Sequence, residues 1–192
     1  MKLKYVALWI AALCSAVFVV QLFFGTEPFV LVNELKFVEP WRILTALFAH
    51  ANLEHLVANL SALVLFGLVL EGRIGPRRVF WLFIISGIAI NLFSPYDRSL
   101  GASGAIFAIL GTLVVLRPLM MVWVYGMPVP MIVAGLIWLG IDLFGVFYPS
   151  SVANLAHIAG LGSGIVVGFV WRKRFGDTKG RKIDEERDEL VL

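Results

Sequence analysis

A serine hydroxyl becomes a nucleophile at neutral pH only when a base takes its proton, and histidine is the usual base. Ser103 stands in Gly101-Ala102-Ser103-Gly104 at the predicted start of a short apolar helix, and His157 is the only histidine that follows it. The glycines free the backbone to approach a ligand closely, and Gly101 counts with His55 and Asn59 among the oxyanion and substrate-binding candidates. A helix start also offers unpaired N–H groups and the positive end of the helix dipole to a developing oxyanion. These residue types fit acyl transfer with Ser103 as nucleophile and His157 as general base. His55 and Asn59 share one face of an earlier helix, one turn apart. No acid is an obvious third member: Asp142, near the outer end of the fifth predicted helix, reads as a capping or loop-facing carboxylate. The minimal reading is a Ser/His dyad.

The elements that must position these groups follow from composition. Of 192 residues 60% are hydrophobic and 15% charged, and the mean hydropathy is +0.91. Soluble domains run near 45–50% apolar and about 25% charged, so this chain carries more apolar residue than a globule of its size can bury. Soluble, disordered and collagen-like classes are excluded, and an all-α membrane protein remains. Spans need about 20 mostly apolar residues. Six transmembrane helices are predicted near residues 4–24, 51–72, 78–95, 101–117, 131–147 and 151–172. Residues 25–50 form a long first loop, and Gly72 to Arg78 a basic turn. Residues 118–130, with Pro118, Gly126, Pro128 and Pro130, read as an interfacial loop.

Charge sets the orientation. The side holding both termini carries 13 of the 16 Lys and Arg, and the other side has only Lys36, Arg42 and Arg98. The positive-inside rule makes both termini cytoplasmic. It also explains the net charge of +3 without a nucleic-acid partner. The apolar run after Lys2 and Lys4 is longer than a signal-peptide core of about 7–15 residues, so an uncleaved span in the cell membrane is expected. Residues 1–175 read as one transmembrane domain and 176–192, with six acids, as a charged cytoplasmic tail without a catalytic candidate. The single cysteine, Cys14, leaves no disulfide framework or cysteine-rich metal site, and neither a metal nor a cofactor is expected.

Depth and packing bring the chemistry together. Asn59 precedes Arg73 by 14 residues, Ser103 precedes Arg117 by 14, and His157 precedes Arg172 by 15. At about 1.5 Å per residue all three lie roughly 21–23 Å above the cytoplasmic boundary. That is roughly 8 Å below the outer surface of a core about 30 Å thick. The sixth helix carries a small-residue stripe, Ala153, Ala156, Gly160, Gly164 and Gly168, and the fourth carries Gly101, Gly104, Ala108 and Gly111. Small faces let helix backbones approach closely, which would bring Ser103 and His157 within hydrogen-bond reach.

In order, and over about Trp41 to Gly168, these motifs resemble the rhomboid family of intramembrane serine proteases. Gly101-Ala102-Ser103-Gly104 is similar to the family's G-x-S-G motif, and Trp41-Arg42 to its Trp-Arg pair in the first loop. His50, His55 and Asn59 resemble the second-helix pattern, Glu71-Gly72 the end of that helix, and Ala156-His157 with Gly160 and Gly164 the sixth helix. The resemblance implies a six-helix bundle with Ser103 as nucleophile and His157 as general base. It implies an oxyanion hole from His55, Asn59 and the Ser103 backbone N–H, and a first loop set sideways in the outer leaflet. Substrates would be single-span membrane proteins entering from the lipid near the fifth helix. One position departs: many members carry a tyrosine four residues after the serine, and here it is Phe107. Its ring can still stack on the histidine, without the hydroxyl.

Other readings compete for the same residues. Ser103 without His157 would be a packing or N-cap serine, and His55 and Asn59 could bridge helices. Trp41 and Arg42 could be an interfacial anchor and a snorkelling cation. His50 would order the loop–helix junction, and Glu71 would pair with an arginine or cap backbone. A metalloprotease fits poorly, because His50, Glu54 and His55 are spaced H-x-x-x-E-H rather than H-E-x-x-H or H-x-x-E-H. A small transporter or a chaperone-like bundle would use intramembrane His, Glu and Asn as a path but needs no reactive serine.

Overall fold

The computed structural model describes residues 4–148 and 152–175. The expected tail, 176–192, and Lys2 of the charge count lie outside the described residues. Among the described residues there are seven α-helices and four short strands. The helices are α1 (Val6–Phe24), α2 (Trp41–Thr45), α3 (Leu53–Ile74), α4 (Pro76–Leu92), α5 (Ser103–Leu116), α6 (Met131–Phe147) and α7 (Asn154–Phe175). The all-α membrane bundle is as expected, with a seventh helix: α2 is a five-residue turn inside the long first loop. Of the six longer helices, α1, α3 and α7 are by themselves long and apolar enough to cross a membrane, whereas α5 and α6 are shorter apolar helices.

α5 is a short apolar helix. Its 14 residues rise about 21 Å, against a hydrocarbon core of about 30 Å. Eleven of them are buried, so the helix is the centre of the bundle rather than one wall. Its uniformly apolar sequence suits that place, since a helix hydrophobic all round is a buried one. Ser103 is its first residue.

The seam between α5 and α7 is backbone against backbone. A Cβ on Gly111 would lie 2.1 Å from the Leu161 carbonyl oxygen, one on Gly160 2.2 Å from the Gly104 oxygen, and one on Gly164 2.0 Å from the Ala108 oxygen. Thr112 fastens the same seam, its hydroxyl 2.9 Å from the Ala108 oxygen and 3.1 Å from the Gly164 oxygen. At the other side of the core α1 packs on α3: a Cβ on Gly67 would meet the Ala7 methyl at 2.8 Å. Buried Glu71 accepts the Ala7 N–H at 3.2 Å, which satisfies one of the orphan donors at the start of α1.

Two strand pairs complete the fold. β1 (Leu31–Val32) pairs antiparallel with β2 (Arg98–Ser99), pinning the first loop to the segment before α5. An ion pair between Arg98 and Glu27 reinforces it, and the Arg98 guanidinium holds the Glu27 carboxyl below its ordinary range. The stretch expected as an interfacial loop is instead a β-hairpin, β3 (Met121–Val124) with β4 (Met127–Pro130). Tyr125 and Gly126 both have positive φ, 49° and 81°, the backbone of a two-residue hairpin turn. Pro128 and Pro130 sit in β4, whose partner is β3 alone. An edge strand tolerates prolines, so they do not break the pairing.

Candidate active site

Three elements and one tight backbone approach build the site. The chain enters α5 through Gly101, at φ +124°, where a Cβ would lie 2.7 Å from His55 Cε1. Glycine is required there twice, by the backbone conformation and by the imidazole pressed on it. The Gly101 N–H donates to the Ala46 carbonyl at 2.8 Å, fixing the approach. Ala102 is the N-cap and supplies no side-chain cap, so the first N–H groups of α5 lack an intrahelical acceptor.

At the start of α5 the Ser103 hydroxyl lies 2.9 Å from His157 Nε2. His157 Nδ1 lies 2.9 Å from Asp142 Oδ1 on α6. A carboxylate in its ionised form only accepts, so this geometry suits a ring proton on Nδ1 and an Nε2 free to accept from Ser103. Phe107 lies flat on the imidazole, ring centroids 4.3 Å apart and planes 5° from parallel. The histidine is thus held at both nitrogens and on one face. Asp142 is only 4% exposed, which corrects the expectation of a capping or loop-facing acid. The level of Asp142 was readable: it lies five residues before the end of α6, and His157 three residues after the start of α7. Antiparallel neighbours place those two positions at one height.

The other sequence candidates divide. His55 adjoins the site through Gly101. Asn59 is buried one turn below, and its amide donates one hydrogen to the His55 carbonyl at 3.0 Å, leaving a second N–H. Trp41 and Arg42 are not brought to the serine. Trp41 is 54% exposed, and Arg42 donates to the Glu27 and Val30 carbonyls at 2.5 and 2.9 Å and pairs with Glu39. Arg42 therefore organises the first loop. Sequence reasoning missed Gln21, a buried amide that donates to the His50 carbonyl at 3.2 Å and accepts the His50 N–H at 3.0 Å. His50 in turn stands edge-on to His55, ring centroids 5.1 Å apart. A glutamine in an otherwise apolar span was the available signal.

Beside Ser103 lies a small cavity of about 20 Å³, lined among others by Gly101, Asn91, Ser94 and Ser99. That is room for about one water. Ser99 offers it a buried hydroxyl with no hydrogen-bond partner among the described residues.

A family model, the Rhomboid domain, matches residues 38–174. RHOMBOID-like protein 1 of Arabidopsis thaliana is 34% identical over 145 residues, covering 72% of this chain and 36% of that protein. RHOMBOID-like protein 6, mitochondrial, of the same plant is 35% identical over 137 residues, 69% of this chain and 44% of the relative. Rhomboid protease GlpG of Klebsiella pneumoniae is 31% identical over 181 residues, 84% of this chain and 61% of that protein. The chain thus spans between 36% and 61% of the length of these relatives.

Proposed function

The chain belongs to the rhomboid family, and from that premise we propose that it is an intramembrane serine endopeptidase that cleaves single-span membrane proteins near the outer side of the bilayer. The observation that carries this reading is the 2.9 Å contact between the Ser103 hydroxyl and His157 Nε2 at the buried start of α5. Support comes also from the relative whose name is Rhomboid protease GlpG.

In this reading the Ser103 oxygen attacks the scissile carbonyl carbon while His157 Nε2 takes the hydroxyl proton. The oxyanion accepts from the Ser103 backbone N–H and from His55 and Asn59. His157 then gives its proton to the leaving amine, and the C–N bond breaks. A water, for which the cavity beside Ser103 has room, attacks the acyl ester with His157 again as base; His157 returns that proton to the Ser103 oxygen as the acyl C–O bond breaks, releasing the carboxylic acid product. Gly101 supports the approach by leaving space for His55, and Phe107 supports the base by stacking. Trp41 and Arg42 act one step away, by shaping the first loop. The protein works in the cell membrane with both termini and the 176–192 tail on the cytoplasmic side, a placement supported by the charge asymmetry. The 1–175 protease domain needs no metal or cofactor for these steps.

The substrate test follows from helix physics. A spanning helix has every backbone group paired, so it must unwind before a bond can be cut. Glycine and proline weaken a helix by about 1 and 3 kcal/mol. A model single-span substrate with a Gly/Pro pair in its outer half is expected to be cut faster than one without, and at small residues on the outer side. Mass spectrometry of the products checks this. Cuts in the cytoplasmic half, or indifference to the helix breakers, contradict the proposal.

The oxyanion donors give a second expectation. Removing one such donor from a protease costs roughly 10²–10³ in kcat. Asn59→Ala and His55→Ala should each slow turnover, by less where the remaining donor compensates, while Ser103 still reacts with a small fluorophosphonate. Full turnover in the double variant would make both side chains structural.

A further inference from the structure

Asp142 has no role in a Ser/His dyad, yet it is a buried titratable group in direct contact with the proposed base. Its position is costly. It lies in the middle of an apolar helix, eleven residues and about 17 Å from the start of α6, where a charged side chain is retained only with a partner. Across α6 the other buried residues, Met131, Ala134 and Gly135, all belong to its first five positions. In the outer half Asp142 alone is buried, and the contact it makes is the one to His157 Nδ1 at 2.9 Å.

We infer that Asp142 is the positioning residue of the catalytic base, making the site a Ser103–His157–Asp142 relay rather than a dyad. The inference rests on the serine-protease reading above. By accepting the Nδ1 proton, the carboxylate selects the tautomer whose Nε2 can receive the Ser103 proton. When Nε2 takes that proton, the imidazolium that forms faces the carboxylate directly. Asp142 stays ionised throughout and takes no proton. Phe107 cannot do this work, since its ring fixes the plane of the imidazole but not its rotation within that plane, and it carries no hydroxyl. Other titratable groups around the imidazole are few. Among the described residues, His55 from α3 faces it, and from α5 Ser103 and Phe107 touch the ring. The anion beside His157 is therefore Asp142.

The test uses the full chain in lipid nanodiscs with two separate readouts. In wild type, nitrogen-15 NMR of labelled histidine is expected to show His157 protonated at Nδ1, and this signature should be lost in Asp142→Asn. An amide there can turn its NH₂ toward Nδ1 and select the opposite tautomer. In a soluble triad that error costs about 10⁴ in kcat, a magnitude belonging to that worked case. Here Asp142→Asn is expected to lower kcat at least tenfold, with KM within about twofold, and Asp142→Glu to recover part of the loss. A merely structural acid would move KM, stability and kcat together, and would leave the tautomer alone. A His157 with its proton on Nε2 in wild type, or kcat within twofold of wild type in a folded Asp142→Asn, overturns the inference. The failure of the protease reading looks different: the wild-type protein then cleaves nothing and takes no fluorophosphonate, while the tautomer still reports on Asp142.

Discussion

Ser103→Ala is expected to abolish cleavage of a single-span substrate while leaving the bundle folded. The substitution removes one oxygen from a residue that is the first of α5 and caps nothing, since the N-cap is Ala102. Among the described residues the side chain's hydrogen bond is the 2.9 Å contact to His157 Nε2, so the structural cost is small. The catalytic cost is total in practice. Removing the nucleophile of a soluble serine protease lowers kcat on the order of 10⁶, and an intramembrane site has no bulk water at hand to replace it. Residues that act as one unit are also non-additive, so His157→Ala should match Ser103→Ala, and the double variant should be no worse than either. The measurements are fluorophosphonate labelling and product analysis of purified variants with matched thermal stability. Unchanged cleavage by Ser103→Ala would remove Ser103 from the mechanism. A double variant much slower than both singles would separate Ser103 from His157 as a working pair.

Much of this site is legible in the chain because membrane geometry limits the alternatives. Helix rise and the basic residues at one boundary place Ser103 and His157 at one depth, and small residues four apart on both helices predict the seam that joins them. The structure has that seam, with Gly160 on the Gly104 carbonyl and Gly164 on the Ala108 carbonyl. Two features escape the same logic. The position of Asp142 near its own helix end suggests a cap, while its height across the connection to α7 sets it level with His157. The α6–α7 pair is short-linked and antiparallel, so height was the informative coordinate. In the 118–130 segment the prolines are the dominant signal. Prolines end helices, but in a two-stranded hairpin they occupy an edge, and the turn Tyr125-Gly126 lacks the Asn-Gly or Asp-Gly signature. Gln21 and Arg42 show a further limit: both bind backbone carbonyls far along the chain, and carbonyl directions are a property of the fold rather than of any pattern.

The other large effect is expected from a residue with no chemistry. Gly164→Leu should lower stability and abolish activity, whereas Gly162→Leu, two residues away on the same helix, should do neither. A Cβ at Gly164 would stand 2.0 Å from the Ala108 oxygen, 2.7 Å from its carbonyl carbon and 2.9 Å from its Cα. All three are backbone atoms of α5, so no rotamer change can relieve the clash and the two helices must separate. At Gly162 nothing lies within 4 Å of the added Cβ. Helix propensity alone would favour both substitutions by up to about 1 kcal/mol, so any loss at Gly164 is a packing effect. Overpacking costs about 1–3 kcal/mol where side chains can yield, and occasionally more; a backbone contact puts Gly164 in the upper part of that range. Activity should fall further than stability. The Ser103–His157 contact bridges these same two helices at 2.9 Å, and an N···O separation beyond about 3.5 Å no longer makes a hydrogen bond. A shift of under 1 Å at the seam is therefore enough to uncouple base from nucleophile. Thermal unfolding in detergent and turnover of a model substrate, measured on both leucine variants, decide it. Wild-type activity in Gly164→Leu would mean that the α5–α7 seam does not set the geometry of the site, and equal damage from Gly162→Leu would place the effect in the lipid-facing surface instead.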